Sequence, residues 1–232
     1  MVILSDKNCV LCGADTDQYI CTPCFNDLPQ LPANHCPICL WPVPTNEICG
    51  SCLNNPPAFT RTIAAMRYSF PVDALVQSLK YRANLTLAPI LAQLLVISLH
   101  AAKTKPDVIV PMPLHPLRLR ERGFNQAMEI GRYVAKRLNI PLFPDCCKRI
   151  KHTQPQTELP WKQRQRNIRK AFDCTIDLTG KHIAVIDDVM TTGATLNELA
   201  SVLRKHGALE ISNWVIARTL PEKKQTAPFS SK

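Results

Sequence analysis

Within its first 52 residues the chain places eight cysteines as four C-x-x-C pairs, Cys9/Cys12, Cys21/Cys24, Cys36/Cys39 and Cys49/Cys52. A two-residue gap lets both sulfurs of a knuckle reach one tetrahedral ion, while backbone N–H groups turn towards the thiolates. Four pairs supply eight ligands, enough for two structural zinc ions. The strings CVLC, CTPC, CPIC and CGSC lie among Pro, Asn and Asp, with too few apolar residues for a core of their own. Metal binding is therefore expected to supply most of the folding free energy of this segment. A disulfide scaffold is the competing arrangement, and it needs an oxidising compartment. The N-terminal stretch MVILSDKNCV shows no basic region followed by a sustained apolar run, so the expectation is a cytoplasmic location and zinc chemistry.

Sequential pairing leaves loops of eight residues between Cys12 and Cys21 and nine between Cys39 and Cys49, as in two successive zinc ribbons. It is favoured over the cross-braced alternative, in which Cys9/Cys12 would share an ion with Cys36/Cys39. The remaining cysteines, Cys146, Cys147 and Cys174, show no partner pattern and read as small packing residues.

Charge divides the chain in the same place. Residues 1–57 hold one basic side chain, Lys7, against five acidic ones, a formal −4, whereas the remainder carries +14 of a net +10. A basic body attracts phosphate-rich partners such as nucleotides, pyrophosphate or DNA, although general solubility accounts for the charge equally well. The longest apolar stretch, Leu87 to Leu99, is too short for a bilayer and is interrupted by Pro89 and Gln93, so no membrane span is expected.

The linker-like Asn54-Asn55-Pro56-Pro57 suggests a cysteine-rich unit over 1–57, an α/β unit over 58–220 and a polar tail over 221–232. In the second unit, strands are expected at 61–68, 107–111, 182–186 and 211–217. Helices are expected at 72–81, 85–102 and 126–138, and again where Leu196, Leu199, Ala200 and Leu203 share one face. That alternation predicts an α/β layer with a mostly parallel sheet.

The stretch VIDDVMTTGATL, Val185 to Leu196, joins one such strand to the next helix. Ligands of parallel α/β sheets sit at the C-terminal ends of strands beside helix N-termini, where backbone N–H groups meet anions. Asp187 and Asp188 are suited to accept hydrogen bonds from vicinal hydroxyls. The turn of Thr191, Thr192, Gly193, Ala194 and Thr195 suits a phosphate. No Gly-Lys-Ser/Thr follows, so this is not a Walker loop.

The string resembles the phosphoribosyl pyrophosphate (PRPP) motif of type I phosphoribosyltransferases. VPMPLHPLRLRERGFNQA (Val110 to Ala127) is similar to the arginine-rich segment ending in RGFNQ of ComF-type proteins. TQPQTELPWKQRQRNIRKAF (Thr153 to Phe172) resembles a second segment of that family. With the cysteine pairs, the resemblance covers nearly the whole chain, to the ComF/ComFC (GntX-like) family associated with natural competence. It implies a type I phosphoribosyltransferase-like parallel sheet with an N-terminal double zinc-ribbon domain.

By that resemblance Asp187 and Asp188 hold the ribose hydroxyls, and Thr191, Thr192, Gly193, Ala194 and Thr195 cradle the 5′-phosphate. Mg²⁺ accompanies PRPP. Arg118, Arg120 and Arg122, with Asn125 and Gln126, are candidates for pyrophosphate or DNA contact. Lys80 in LKY matches a family position without an evident role. Residues 148–170 carry eight basic side chains against Glu158 alone and read as a loop leading into a basic helix. Arg164, Arg166 and Arg169 there are candidates to close over substrate or to track single-stranded DNA, with Trp161 in reach. The implied function is a PRPP-binding competence protein of DNA uptake and transformation, with phosphoribosyl transfer to an unidentified acceptor. The alternative is a non-catalytic single-stranded-DNA-binding protein that docks a competence helicase or another uptake or recombination protein.

Overall fold

The computed structural model describes residues 8–102, 105–151 and 168–221. Its N-terminal part is one design used twice. Cys21 and Cys49 are the N-cap residues of two single-turn helices, α1 (Thr22–Asn26) and α2 (Gly50–Asn54), which carry Cys24 and Cys52. Isolated antiparallel bridges, Asn8 with Asp15 and His35 with Pro42, close the loop around the other pair of each ribbon.

The rest is built on a four-stranded sheet among the described residues, in the order β1 (Arg61–Arg67), β6 (Glu210–Arg218), β5 (His182–Met190), β2 (Val108–Pro111). All three pairings are parallel. The helices that return the chain are α3 (Val72–Arg82), α4 (Leu87–Ala102), α6 (Gln126–Leu138) and α7 (Ala194–Lys205). A short helix, α5 (Pro116–Arg122), precedes α6. A two-stranded antiparallel ribbon of β3 (Cys147–Arg149) and β4 (Phe172–Cys174) stands beside the sheet.

β5 lies inside the sheet, so both of its faces must be covered, and its apolar run is continuous for that reason. Ala184 and Ile186 enter a core with Leu91 and Leu95 of α4 and Ile130 and Val134 of α6. Ile183 and Val185 enter a second core with Leu196, Leu199 and Leu203 of α7. The two ribbons join different cores. Cys9, Ile20, Cys21 and Leu28 pack into the first, and Leu40 into the second.

Most expected elements form within a residue or two of their expected limits. β5 is a correction: it continues past Ile186 to Met190, because β6 pairs with it as far as Met190 opposite Arg218. Asp187 and Asp188 therefore lie inside the strand rather than before its turn. β3, β4 and α5 carry too little apolar periodicity to have been foreseen. The expected loop and basic helix over 148–170 fall mainly outside the described residues.

α7 runs out into Gly207, where φ is +93° and a Cβ would lie 2.8 Å from Thr179 Cα and 2.9 Å from Thr179 N. Backbone cannot yield as a side-chain tip does. Gly207→Ala is expected to lower stability by about 2–3 kcal/mol in urea unfolding. Gly180→Ala, also at positive φ (+73°) but with nothing within 4 Å, should cost only about 1 kcal/mol.

Candidate functional site

The four sulfurs of Cys9, Cys12, Cys21 and Cys24 lie within 4.8 Å of one another, and so do those of Cys36, Cys39, Cys49 and Cys52. Pairing is sequential. In both ribbons the first sulfur receives the same set of backbone N–H groups: Cys9 from Cys21, Cys12 and Leu11, Cys36 from Cys49, Cys39 and Ile38. Burial opposes ionisation of both thiols, yet these N–H groups outweigh it, bringing Cys9 down to about 6 and Cys36 to about 7. Cys39 is pushed up to about 11, chiefly by burial with help from the Cys49 and Cys36 sulfurs, against the pull of the Trp41 N–H and the Cys52 sulfur. Four crowded sulfurs with N–H groups turned on one of them fit a Zn²⁺ ion, which supplies the missing positive charge.

The third cysteine group was not foreseen as a group. Cys146 Sγ lies 3.9 Å from both Cys147 Sγ and Cys174 Sγ. β3–β4 register sets Cys147 opposite Cys174, and all three are buried with Ile168, Phe172 and Leu178 in the α7-side core. That setting suits small packing residues, and their spacing carried no sign that they meet.

At the C-terminal end of β5 the acidic pair divides its tasks. Asp188 is 4% exposed, and its Oδ1 lies 2.7 Å from Lys80 Nζ near the end of α3. Its Oδ2 is buried without a hydrogen-bond partner. Asp187 Oδ1 accepts the Asp188 backbone N–H at 2.8 Å. Burial works against the Lys80 charge, but Asp188 and then Asp187 outweigh it and hold the ammonium above its ordinary value. For Asp187, burial and the Asp188 charge push the carboxyl up to about 7, against the pull of Lys80 and Arg149.

The turn beyond β5 is closed by Gly193, at φ +79°, where a Cβ would meet Met190 Cε at 2.6 Å. Thr192 Oγ1 accepts the Ala194 N–H at 3.2 Å. Gly193, the N-cap residue of α7, has no side chain to cap the helix. Thr191, Thr192, Ala194 and Thr195 are all partly exposed along this turn.

The arginine-rich segment separates by role. Arg120 is exposed on α5, Arg122 stacks over the Tyr81 ring at 5.6 Å, and Arg118 is half-buried. The Asn125 side chain is occupied: Oδ1 caps α6 by accepting the N–H groups of Ala127 and Met128, and Nδ2 donates to the Met112 carbonyl at 3.0 Å. Gln126 is buried in the first turn of α6. Asn125 thereby satisfies backbone groups at the start of α6, while Gln126 Oε1 is buried without a hydrogen-bond partner. Arg169 is exposed. Arg164 and Arg166 lie outside the described residues.

Sequence reasoning passed over Arg149, at the end of β3. Its guanidinium lies 5.7 Å over the Phe172 ring, and burial followed by the charge of Arg118 lowers its proton affinity, with Asp187 opposing. Lys80, Asp187, Asp188, Arg149 and Arg118 thus act on one another at one end of the sheet.

Residues 2–53 match the double zinc ribbon domain, and residues 124–230 match the phosphoribosyl transferase domain. Competence protein F of Haemophilus influenzae is 35% identical over 73% of this chain and 78% of its own length. The chain belongs to the competence protein F family. Within the wider group, the DNA utilization protein YhgH of Escherichia coli K12 is 32% identical over 91% of this chain and 90% of its own. Competence protein ComFC of Bacillus subtilis is 25% identical over 88% and 85%. The fold is that of the phosphoribosyltransferases with a double zinc ribbon, and no helix among the described residues is long and apolar enough to cross a membrane.

An aspartate ordinarily loses its proton near 3.8, whereas Asp187 in the fold keeps it to about 7. The folded state holds the extra proton between those values, so this group's stabilising contribution is complete below about pH 4 and is lost as pH rises through about 7. Asp187→Asn should therefore gain on the wild type as pH rises from about 4, by on the order of a few kcal/mol near pH 8. Urea midpoints across that range read the gain.

Proposed function

We propose that the chain binds PRPP with Mg²⁺ at the C-terminal end of β5 and serves DNA uptake and transformation, in keeping with the names of its relatives. The observation that carries this reading is the buried, unpartnered Oδ2 of Asp188, next to a partly buried Asp187 and a threonine-rich turn. A carboxylate oxygen shut away from water without a donor is costly, and a ribose hydroxyl supplies one. Asp187 and Asp188 hold the ribose diol. Thr191, Thr192, Gly193, Ala194 and Thr195 hold the 5′-phosphate. Arg149 and Arg118 add positive charge beside the acidic pair, suited to pyrophosphate. The division of labour follows the two units proposed for the chain, ribbons over 1–57 and the ligand-binding unit over 58–220, with the tail 221–232 outside both.

The chemistry open to such a site is displacement of pyrophosphate from the ribose, with positioning and charge stabilisation providing the acceleration. PRPP with Mg²⁺ should raise the melting temperature of the wild-type protein by about 5 °C at saturating ligand. The shift should vanish in an Asp187→Ala/Asp188→Ala variant. No shift in the wild type, or an equal one in the variant, would sink the PRPP reading.

A second reading, single-stranded-DNA binding, is favoured by the exposed basic side chains Arg120 and Arg169 on the same basic body. Affinity should fall steeply with salt. Neutralising Arg164, Arg166 and Arg169 should reduce the log–log salt slope by about 2, since each single-strand phosphate contact contributes roughly 0.7.

A further inference from the structure

Arg218, the last residue of β6, is 3% exposed, and its guanidinium donates to four backbone carbonyl oxygens. Nε donates to the carbonyl of Cys39 at 2.9 Å. Nη1 donates to the carbonyls of Met190 at 3.1 Å, Thr219 at 2.6 Å, and Thr191. Cys39 belongs to the second tetrathiolate site. Met190 and Thr191 are the step from β5 into the threonine-rich turn. One side chain thus joins a zinc knuckle to the turn assigned to phosphate, across 179 residues of sequence.

The two ribbons differ at the position that makes this possible. After the knuckle of the first ribbon comes Gly13, at φ +75°, a conformation glycine adopts without strain. The second ribbon has Leu40 there, at φ +63°. A leucine in that region is disfavoured by roughly 1 kcal/mol, and here its side chain, 4% exposed, is seated in the α7-side core. Leu40 anchors the second knuckle to the sheet while the Cys39 carbonyl beside it meets Arg218.

Charge supports the same link. The Arg218 guanidinium is buried and donates to the backbone of Cys39, one of the four sulfur-bearing residues of the second site. Zinc bound by four thiolates keeps a net negative charge. The occupied site is thus the counter-charge of a buried guanidinium. Lysine could not replace it, since one ammonium has no planar fork to span separate carbonyls.

We propose that Arg218 is a positioning residue through which zinc in the second ribbon, and not in the first, sets the geometry of the Thr191–Ala194 turn. Anion affinity at the turn then depends on the metal content of the Cys36/Cys39/Cys49/Cys52 site. This consequence rests on the PRPP reading above; the link between ribbon and turn does not.

The test is hydrogen–deuterium exchange at the amides of residues 191–195, on full-length protein without ligand, with zinc content measured on the same samples. Arg218→Gln and the milder Arg218→Lys should each retain two zinc ions per chain, yet exchange roughly tenfold faster in the turn than wild type. Cys49→Ser, losing the second zinc, should loosen the turn as much. Cys12→Ser, losing the first, should leave it protected. Wild-type exchange rates in both zinc-replete Arg218 variants would overturn the proposal, and so would equal loosening by the two cysteine variants. If Arg218→Gln fails to fold, Arg218→Lys and the cysteine pair still decide. PRPP-induced melting shifts on the same panel separate the two claims. A loosened turn in a protein that never binds PRPP upholds the strap and rejects the ligand; a wild-type shift equalled in Arg218→Lys with an unloosened turn does the reverse.

Discussion

Parallel pairing of β5 with β6, carried through to Met190 opposite Arg218, is the constraint on which the site depends. It extends β5 beyond its apolar run, so Asp187 and Asp188 are held as strand residues with fixed, opposite directions. Asp188 is thereby held against Lys80, while Asp187 stays partly exposed. The same pairing delivers Arg218 beside the strand-to-turn step. A β5 that ended at Ile186 would leave both carboxylates on a loop, where neither burial nor direction would be set.

Holding two adjacent carboxylates at a buried sheet end is electrostatically expensive, and the fold meets the cost from several elements at once. Lys80 comes from α3, Arg149 from β3 and Arg118 from α5. The arrangement leaves one carboxylate paired and the other with its proton affinity raised. Charge of both signs is therefore available within one small volume, as expected where a ligand carries hydroxyls and phosphates together.

Legibility in the sequence followed the strength of local signals. The cysteine pairs and their sequential sharing could be read because two-residue knuckles are set by ligand geometry alone. α3, α6 and β5 could be read because each buries a stripe of period 3.6 or a continuous apolar run. Arg149 and Arg218 escaped. A basic residue at a strand end looks like an exposed charge until tertiary packing buries it, and Phe172 and the Cys39 carbonyl that receive them are 23 and 179 residues distant. The capping role of Asn125 was hidden for the converse reason: a polar residue at a helix start serves the backbone as readily as a ligand, and spacing does not tell which.

The position of β1 at the sheet edge has a consequence for how the molecule is made. Its described neighbour is β6, the last strand of the sheet, so Arg61 waits for Ser212 and Ala58 for Asn197. On a ribosome, the ribbons are complete and able to take up metal long before the surface that receives them exists. During that interval β1 has no strand to pair with, and closure of the sheet falls to β6, the last of its described strands to be synthesised. Chain closure over such separations is slow. A metal-folded N-terminal unit then waits as a preformed piece onto which the late strands can assemble.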